Sequence, residues 1–362
     1  MPPIKLAILD DYQGIAQQHF QAIDPSIEIT SFPETLHPSH NDGDLEKLVE
    51  RLKDFNVIST MRERTPFQAP LLRQLPDLRL ILTTGLRNAA LDVKTCSELG
   101  IQVCGTDARH NLPKSNPKYP VPDSTTTHCW ALILALSRHI ARDDRLIKEG
   151  AWQGPTLSTR IQGRVLGLAG LGRLGASVGR IAIQAWGMQV ICWSTNLTQE
   201  KADEQANGSG LDPGDFKAVS KDQLFSDADV VSVQLVLSER SKGIIGREDL
   251  QRMKKTALFV NTSRGPLVDE SALLEVCEKG IIAGAALDVY VQEPLAKDSK
   301  WRTTKWGTDG RAEVVLAPHM GYGEIESMTN WYKENAENLG RYVRGEELTA
   351  KLSADANNAY KA

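Results

Sequence analysis

Apolar positions along the chain fall into short runs separated by amphipathic stretches, and the two alternate over most of its length. In the first third the runs are "IKLAILDD" from Ile4, "IEITSF" from Ile27, "FNVIST" from Phe55, "LRLILTTG" from Leu78 and "IQVCGT" from Ile101. Short β-rich runs alternating with helical patterns predict a parallel sheet covered on both faces. The stretch "DARHNLPKSNPKYPVP", Asp107 to Pro122, is dense in Pro, Asn and Lys. It is expected to be a long exposed loop, neither helix nor central strand. After it, "STTTHCWALILALSRHIARDDRLIKEGAWQG" predicts a helix capped near Ser124 to Thr126, with a buried apolar first half. The alternation then resumes with "RVLGLAG" from Arg164, "QVICWS" from Gln189, "DVVSVQL" from Asp229, "ALFVNTS" from Ala257, "AGAALDV" from Ala283 and "EVVLAPH" from Glu313, six predicted strands in all. Val314 to Ala317 read as a short buried strand stopped by Pro318, which places His319 at a strand end. A last polar helix, Glu326 to about Arg344, is expected to pack back on the first unit through its own apolar positions.

Composition narrows the classes. A chain of 362 residues with 41% hydrophobic residues is long enough for two domains with sizeable cores. A net charge of -4 supplies no basic field, and the Arg252/Lys254/Lys255 cluster reads as a solvated helix face, so nucleic acid is not an expected partner. Cys96, Cys104, Cys129, Cys192 and Cys277 are scattered, without a CxxC pair, and read as reduced core residues. His37 and His40 in "HPSH" lack Cys or carboxylate partners at a ligand spacing, so no metal is expected. The start "MPPIKLAILDD" turns acidic too soon for a signal peptide and no run approaches a membrane span; the expected location is cytoplasmic.

The first chemical signal is "GLAGLGRLGASVGR", with Gly170, Gly172 and Gly175 in G-x-G-x-x-G between a predicted strand and a predicted helix. The first glycine permits the tight turn, the second lets a pyrophosphate approach the backbone, and the third lets helix and sheet pack closely. Arg173 and Leu174 open the helix and join the glycines as candidate cofactor contacts, with Thr262 further along. The following strand normally ends in an acid that holds a ribose 2′-hydroxyl; here Ser194, Thr195 and Asn196 stand instead. Without a carboxylate nothing repels a 2′-phosphate, so NADP is favoured slightly over NAD. The same residues read equally as a turn tolerating both, since no arginine follows.

In doubly wound sheets ligands lie beyond the carboxyl ends of the strands. That rule selects the glycine loop, Ser194, Gln234, Arg264 in "NTSRG", Asp288 in "AALDVYVQEP" and His319. Arg264 suits a carboxylate clamp, because a guanidinium grips two oxygens and stays charged at working pH; its alternative is a surface arginine. Glu293, before Pro294, and His319 are candidates for an acid–base pair in which the carboxylate favours imidazolium. Their alternatives are a solvent-facing loop acid and a hydrogen-bonded structural histidine.

The motifs "GLAGLGRLG", "VNTSRGPLVDE", "GAALDVYVQEP" and "LAPHMG", in this order, resemble the D-isomer-specific 2-hydroxyacid dehydrogenase family over most of the chain. The resemblance implies an α/β protein of two doubly wound parallel-sheet domains, a Rossmann cofactor domain over 128–320 inserted into a flavodoxin-like substrate domain over 1–127 and 321–362. It implies hydride exchange between NAD(P)H and a 2-oxo acid, giving a D-2-hydroxy acid. Arg264 would bind and polarise the substrate, Glu293 would orient His319, His319 would transfer the proton, and Asp288 would contact the nicotinamide carboxamide. "TTGLRNAALDV" resembles the loop whose amides receive the substrate carboxylate, at Gly85, Leu86 and Arg87, and "MRERTP" from Met61 resembles a neighbouring segment of one branch. A homodimer joined by about His128 to Gly154 is implied, with Trp130 and Trp152 either in that contact or in the core. Ser194 replaces the usual acid, Gln234 a common histidine and Thr127 a common glutamate, and the Asn111 to Pro122 loop is longer than expected. The chain's end disfavours the phosphoglycerate dehydrogenases with a regulatory C-terminal domain. The alternative function is a dinucleotide-sensing, corepressor-like binding protein on the same fold.

Overall fold

Each predicted β-rich run forms a strand, and the central strands bury both faces of a parallel sheet with runs of largely aliphatic positions. In the computed structural model, which describes residues 3–39, 41–107 and 123–353, the strands fall into two compact units, Met1–Ser115 with Gly323–Ala362, and Asn116–Tyr322. The Asn111 to Pro122 loop and His40 lie outside the described residues.

The first unit is a five-stranded parallel sheet of β1 (Lys5–Leu9), β2 (Glu28–Phe32), β3 (Val57–Thr60), β4 (Leu80–Thr83) and β5 (Gln102–Cys104), in the order β2-β1-β3-β4-β5. This is the flavodoxin-like order, with its switch point between β1 and β3. Leu48, Leu52, Phe67, Leu72 and Ile81 are fully or almost fully buried in its core. Helix α1 (Gln17–Gln21) and β4 pack against the late helix α13 (Ile325–Val343), which therefore returns to this unit as expected. Beyond α13, Lys351 pairs antiparallel with Cys104 and Leu352 donates to Val103, which covers the β5 edge.

The second unit is a seven-stranded parallel sheet: β6 (Val165–Ala169), β7 (Gln189–Trp193), β8 (Phe216–Ala218), β9 (Val230–Val233), β10 (Leu258–Asn261), β11 (Gly284–Leu287) and β12 (Glu313–Leu316). The order is β12-β11-β10-β9-β6-β7-β8, a doubly wound Rossmann arrangement whose switch point lies beside β6. One core packs on each sheet face, one around Phe225, Phe259 and Leu267, the other around Ile133, Leu166 and Phe216.

Four expectations need correction. The sheet has seven strands, not six, because β8 has only three residues and shows no alternation long enough to read. Strand β12 is not buried: it is an edge strand of intermediate exposure, with Leu316 37% exposed. The helix after the loop is two helices, α5 (Ser124–Ser137) and α6 (Ile140–Lys148), broken where His139 turns left-handed at φ 57°. The cap of α5 is Asp123, whose carboxylate accepts the Thr126 N–H, rather than a residue from Ser124 to Thr126. Trp130 belongs to the core, 6% exposed, tilted against Trp186 and donating to the Val178 carbonyl. Trp152 is 79% exposed. All five cysteines are buried free thiols, and among the described residues no helix is long and apolar enough to cross a membrane.

Candidate active site

The glycine loop leaves β6 at its carboxyl end. Gly170 has φ 108°, and a Cβ there would lie 2.6 Å from the Gln234 carbonyl carbon, so only glycine fits. A Cβ on Gly175 would fall 2.4 Å from the Gly170 carbonyl oxygen, whereas one on Gly172 would meet nothing within 4 Å. Gly172 is also the N-cap of helix α7 (Arg173–Trp186) and offers no side-chain cap. The loop is thus tight at both ends and open in the middle, and the first amides of a 14-residue helix face that opening without a side-chain acceptor. These features fit a dinucleotide pyrophosphate. Arg173 pairs with Asp123. Thr262 is buried, and Gln234 donates to Ser232 at 3.0 Å.

Ser194, Thr195 and Asn196 follow β7, next to the glycine loop: Gly170 N–H donates to the Trp193 carbonyl at 2.8 Å. Sequence reasoning missed one cation here. Lys201, on helix α8 (Gln199–Gly208), places Nζ 2.9 Å from the Asn196 carbonyl oxygen. The signal was its spacing, one helical turn past the Thr198 cap.

The reactive groups gather at the other side of the sheet. His319 Nδ1 lies 2.5 Å from Glu293 Oε2, and Glu293 Oε1 accepts the Tyr290 N–H at 2.9 Å. Burial works to raise the Glu293 carboxyl, but the His319 bond and charge, the Tyr290 amide and the Arg264 charge outweigh it and hold the group below its ordinary value. Its ionised form is therefore the one the fold selects. The pairing contributes stability above the ordinary carboxylate range and loses it as pH falls through the lowered Glu293 value. The melting-temperature deficit of Glu293→Gln relative to wild type is expected to shrink between about pH 6 and about pH 3. A deficit independent of pH in thermal melts would contradict this.

Arg264 is brought to that carboxylate by its neighbour. A Cβ on Gly265 would sit 2.0 Å from the Tyr290 carbonyl carbon, so the "RG" step presses directly on the Tyr290–Val291 backbone. Asn261 braces the turn, donating to the Arg264 carbonyl at 3.1 Å and accepting the Ser263 N–H at 3.0 Å.

His319 itself has φ 55°, a left-handed conformation that costs a residue with a Cβ about 1–3 kcal/mol and persists only where its surroundings impose it. Those surroundings come from the segment after β11. The Tyr290 hydroxyl donates to the Ala317 carbonyl at 2.9 Å. Burial, then the Asp288 and Glu293 charges, push its phenol well up, so it stays a donor. Asp288, 1% exposed, accepts the Met320 N–H at 2.9 Å and the Gly321 N–H at 3.0 Å. Both Asp288 oxygens are thus engaged with the turn after His319, a role that the expected nicotinamide contact did not include.

In the first unit, Gly85 has φ 88° and lies beneath Arg62: a Cβ would meet Arg62 Nη1 at 2.8 Å. The Met61 segment and the Gly85 loop are therefore neighbours. The Gly85 N–H already donates to Thr106 Oγ1 at 2.8 Å, whereas the Leu86 N–H makes no bond among the described residues. Leu86 is 42% exposed and Arg87 is exposed as well.

Comparison with known proteins gives the family. Residues 130–321 match the D-isomer specific 2-hydroxyacid dehydrogenase, NAD binding domain family. The chain is 29% identical over 337 residues to a glyoxylate reductase of Korarchaeum cryptofilum, covering 92% of this chain and 91% of that one. It is similar to the crystal structure of a phosphoglycerate oxidoreductase from Vibrio cholerae, at 32% identity and a TM-score of 0.78, covering 94% of this chain and 99% of the other. A glyoxylate reductase from Paecilomyes thermophila aligns at 27% identity and a TM-score of 0.66, covering 98% of this chain and all of its own, 100%. The chain belongs to the D-isomer-specific 2-hydroxyacid dehydrogenase family. It is an oxidoreductase of that class, with a nicotinamide dinucleotide as its cofactor.

Proposed function

We propose that the protein reduces a 2-oxo acid to the D-2-hydroxy acid, with His319 as the proton donor, Glu293 as its partner and Arg264 as the carboxylate clamp. The observation that carries this reading is the 2.5 Å contact between His319 Nδ1 and Glu293 Oε2. The bound dinucleotide supplies the hydride. Glu293 accepts at Nδ1, so Nε2 is the ring atom that exchanges a proton with the substrate oxygen. Arg264 offers a fork of donors to the carboxylate and polarises the adjacent carbonyl. In the first unit, Leu86 and Arg87 are the backbone positions proposed for the carboxylate, with Gly85 as the flexible point of their loop rather than a donor.

The glycine loop, with Gly170, Gly172, Arg173, Leu174 and Gly175, is proposed to hold the pyrophosphate, and Thr262 and Asp288 to border the nicotinamide. Ser194, Thr195 and Asn196, joined now by Lys201, favour NADP over NAD, because three neutral side chains and a nearby cation suit a 2′-phosphate. Lys201→Ala is expected to raise the KM for NADPH about tenfold and leave that for NADH unchanged, the effect of one charge-assisted hydrogen bond. Equal effects on both cofactors in steady-state kinetics would remove Lys201 from the specificity pocket.

A homodimer is proposed through the 140–157 segment, which exposes Ile140, Ile147, Trp152 and Leu157, the last at 95%. A cytoplasmic location is proposed from the five free thiols. The test of the function is the loss of reduced-nicotinamide absorbance with glyoxylate, hydroxypyruvate, pyruvate and bulkier 2-oxo acids, using NADPH and NADH. Oxidation dependent on one of these acids supports the reading; dinucleotide binding without oxidation by any of them contradicts it.

A further inference from the structure

We infer that His128 is a positioning residue for this reaction, acting through Asp288 on the turn that presents His319. The inference rests on the catalytic reading of His319 given above. His128 lies in the first half of α5, with its side chain 25% exposed and its Nε2 3.1 Å from Asp288 Oδ1. Nε2 is itself buried, and its approach is not aligned as a regular hydrogen bond. Among the described residues, His128 is the basic side chain that pairs with Asp288.

Asp288 needs such a neighbour. Its carboxylate is removed from water and holds two backbone amides, Met320 and Gly321, which immediately follow His319. The turn packs toward α5: a Cβ on Gly321 would lie 3.2 Å from Asp288 Oδ2 and in ordinary contact with Thr125 Cγ2 at 3.6 Å and His128 Cδ2 at 3.7 Å. Taking away the imidazole removes the polar group that faces a buried carboxylate and opens space beside it for water. Water then competes with Met320 and Gly321 for the Asp288 oxygens. The turn that imposes φ 55° on His319 loosens, and the ring no longer keeps one position relative to Glu293.

The experiment compares His128→Ala and His128→Gln in the full-length chain, since the Gln amide nitrogen reaches roughly where Nε2 stands. For His128→Ala, kcat is expected to fall by about tenfold to a hundredfold, the scale of a small misplacement of a catalytic group, with KM and dinucleotide Kd within about twofold of wild type. His128→Gln is expected to restore most of kcat. Hydrogen–deuterium exchange at the Met320 and Gly321 amides, measured without substrate, is expected to be about tenfold faster in His128→Ala and near wild type in His128→Gln. The exchange measurement separates the two ideas: a wild-type protein that oxidises no dinucleotide defeats the catalytic reading, while exchange still tests the tether. Wild-type exchange in His128→Ala would overturn the inference. So would loss of dinucleotide affinity with kcat retained, which would make Asp288 and His128 a cofactor contact instead. Should the alanine variant fail to fold, tenfold faster exchange in a folded His128→Gln would also overturn it.

Discussion

His319→Ala is expected to lower kcat by roughly 10²–10⁴, the usual worth of a general acid, while the dinucleotide binds as before. The selectivity follows from placement. His319 lies after β12, at one edge of the sheet order, whereas the glycine loop follows β6, on the far side of β9, β10 and β11. Removing the ring leaves Gly170, Gly172 and Gly175 untouched, and Arg264 still carries its charge. What disappears is the proton for the new alkoxide and the partner that keeps Glu293 ionised. Steady-state kinetics with a dinucleotide titration checks both halves. Unchanged kcat would remove His319 from the mechanism, and lost dinucleotide binding would show a disrupted fold rather than a missing acid.

Arg264→Lys is expected to reduce kcat/KM by about 10² or more, although the charge is conserved. A lysine ammonium is a point charge on a flexible stem; it cannot reproduce two parallel donors aimed at a carboxylate. The backbone around Arg264 is built for one orientation, with Asn261 bracing the turn and Gly265 pressed on Tyr290. A lysine would also shift the charge that acts on Glu293, so part of the loss should appear in kcat. Kinetics within twofold of wild type would argue that Arg264 is no clamp.

Much of this was legible in the sequence because the signals were local. The strands announced themselves as aliphatic runs, and strand, glycine loop and helix stood in order from Val165 to Trp186. Knowing that ligands lie beyond strand ends was enough to single out Arg264, Asp288 and His319. The rest depends on distances between residues far apart in the chain. Nothing in "VYVQEP" tells that Glu293 reaches His319, 26 residues on, or that Gly265 wedges Arg264 against Tyr290. The break at His139 was invisible because both halves of the run have helical composition and the interruption is a single left-handed residue. Strand β8 was too short to show a period, and β12 carries the aliphatic residues of a buried strand at an edge. Asp288 was selected by its position after β11, yet its two bonds to the turn after His319 come from the tertiary fold alone.

The most direct test of the central claim follows the transferred atom. The wild-type protein is supplied with reduced dinucleotide deuterated at both C4 positions of the nicotinamide, together with whichever 2-oxo acid other than glyoxylate supports oxidation, and the product is analysed by mass spectrometry and chiral chromatography. The account predicts one deuterium on C2 of a D-2-hydroxy acid, formed at a rate that His319→Ala sharply reduces. A product without deuterium at C2, or of the L configuration, would contradict it.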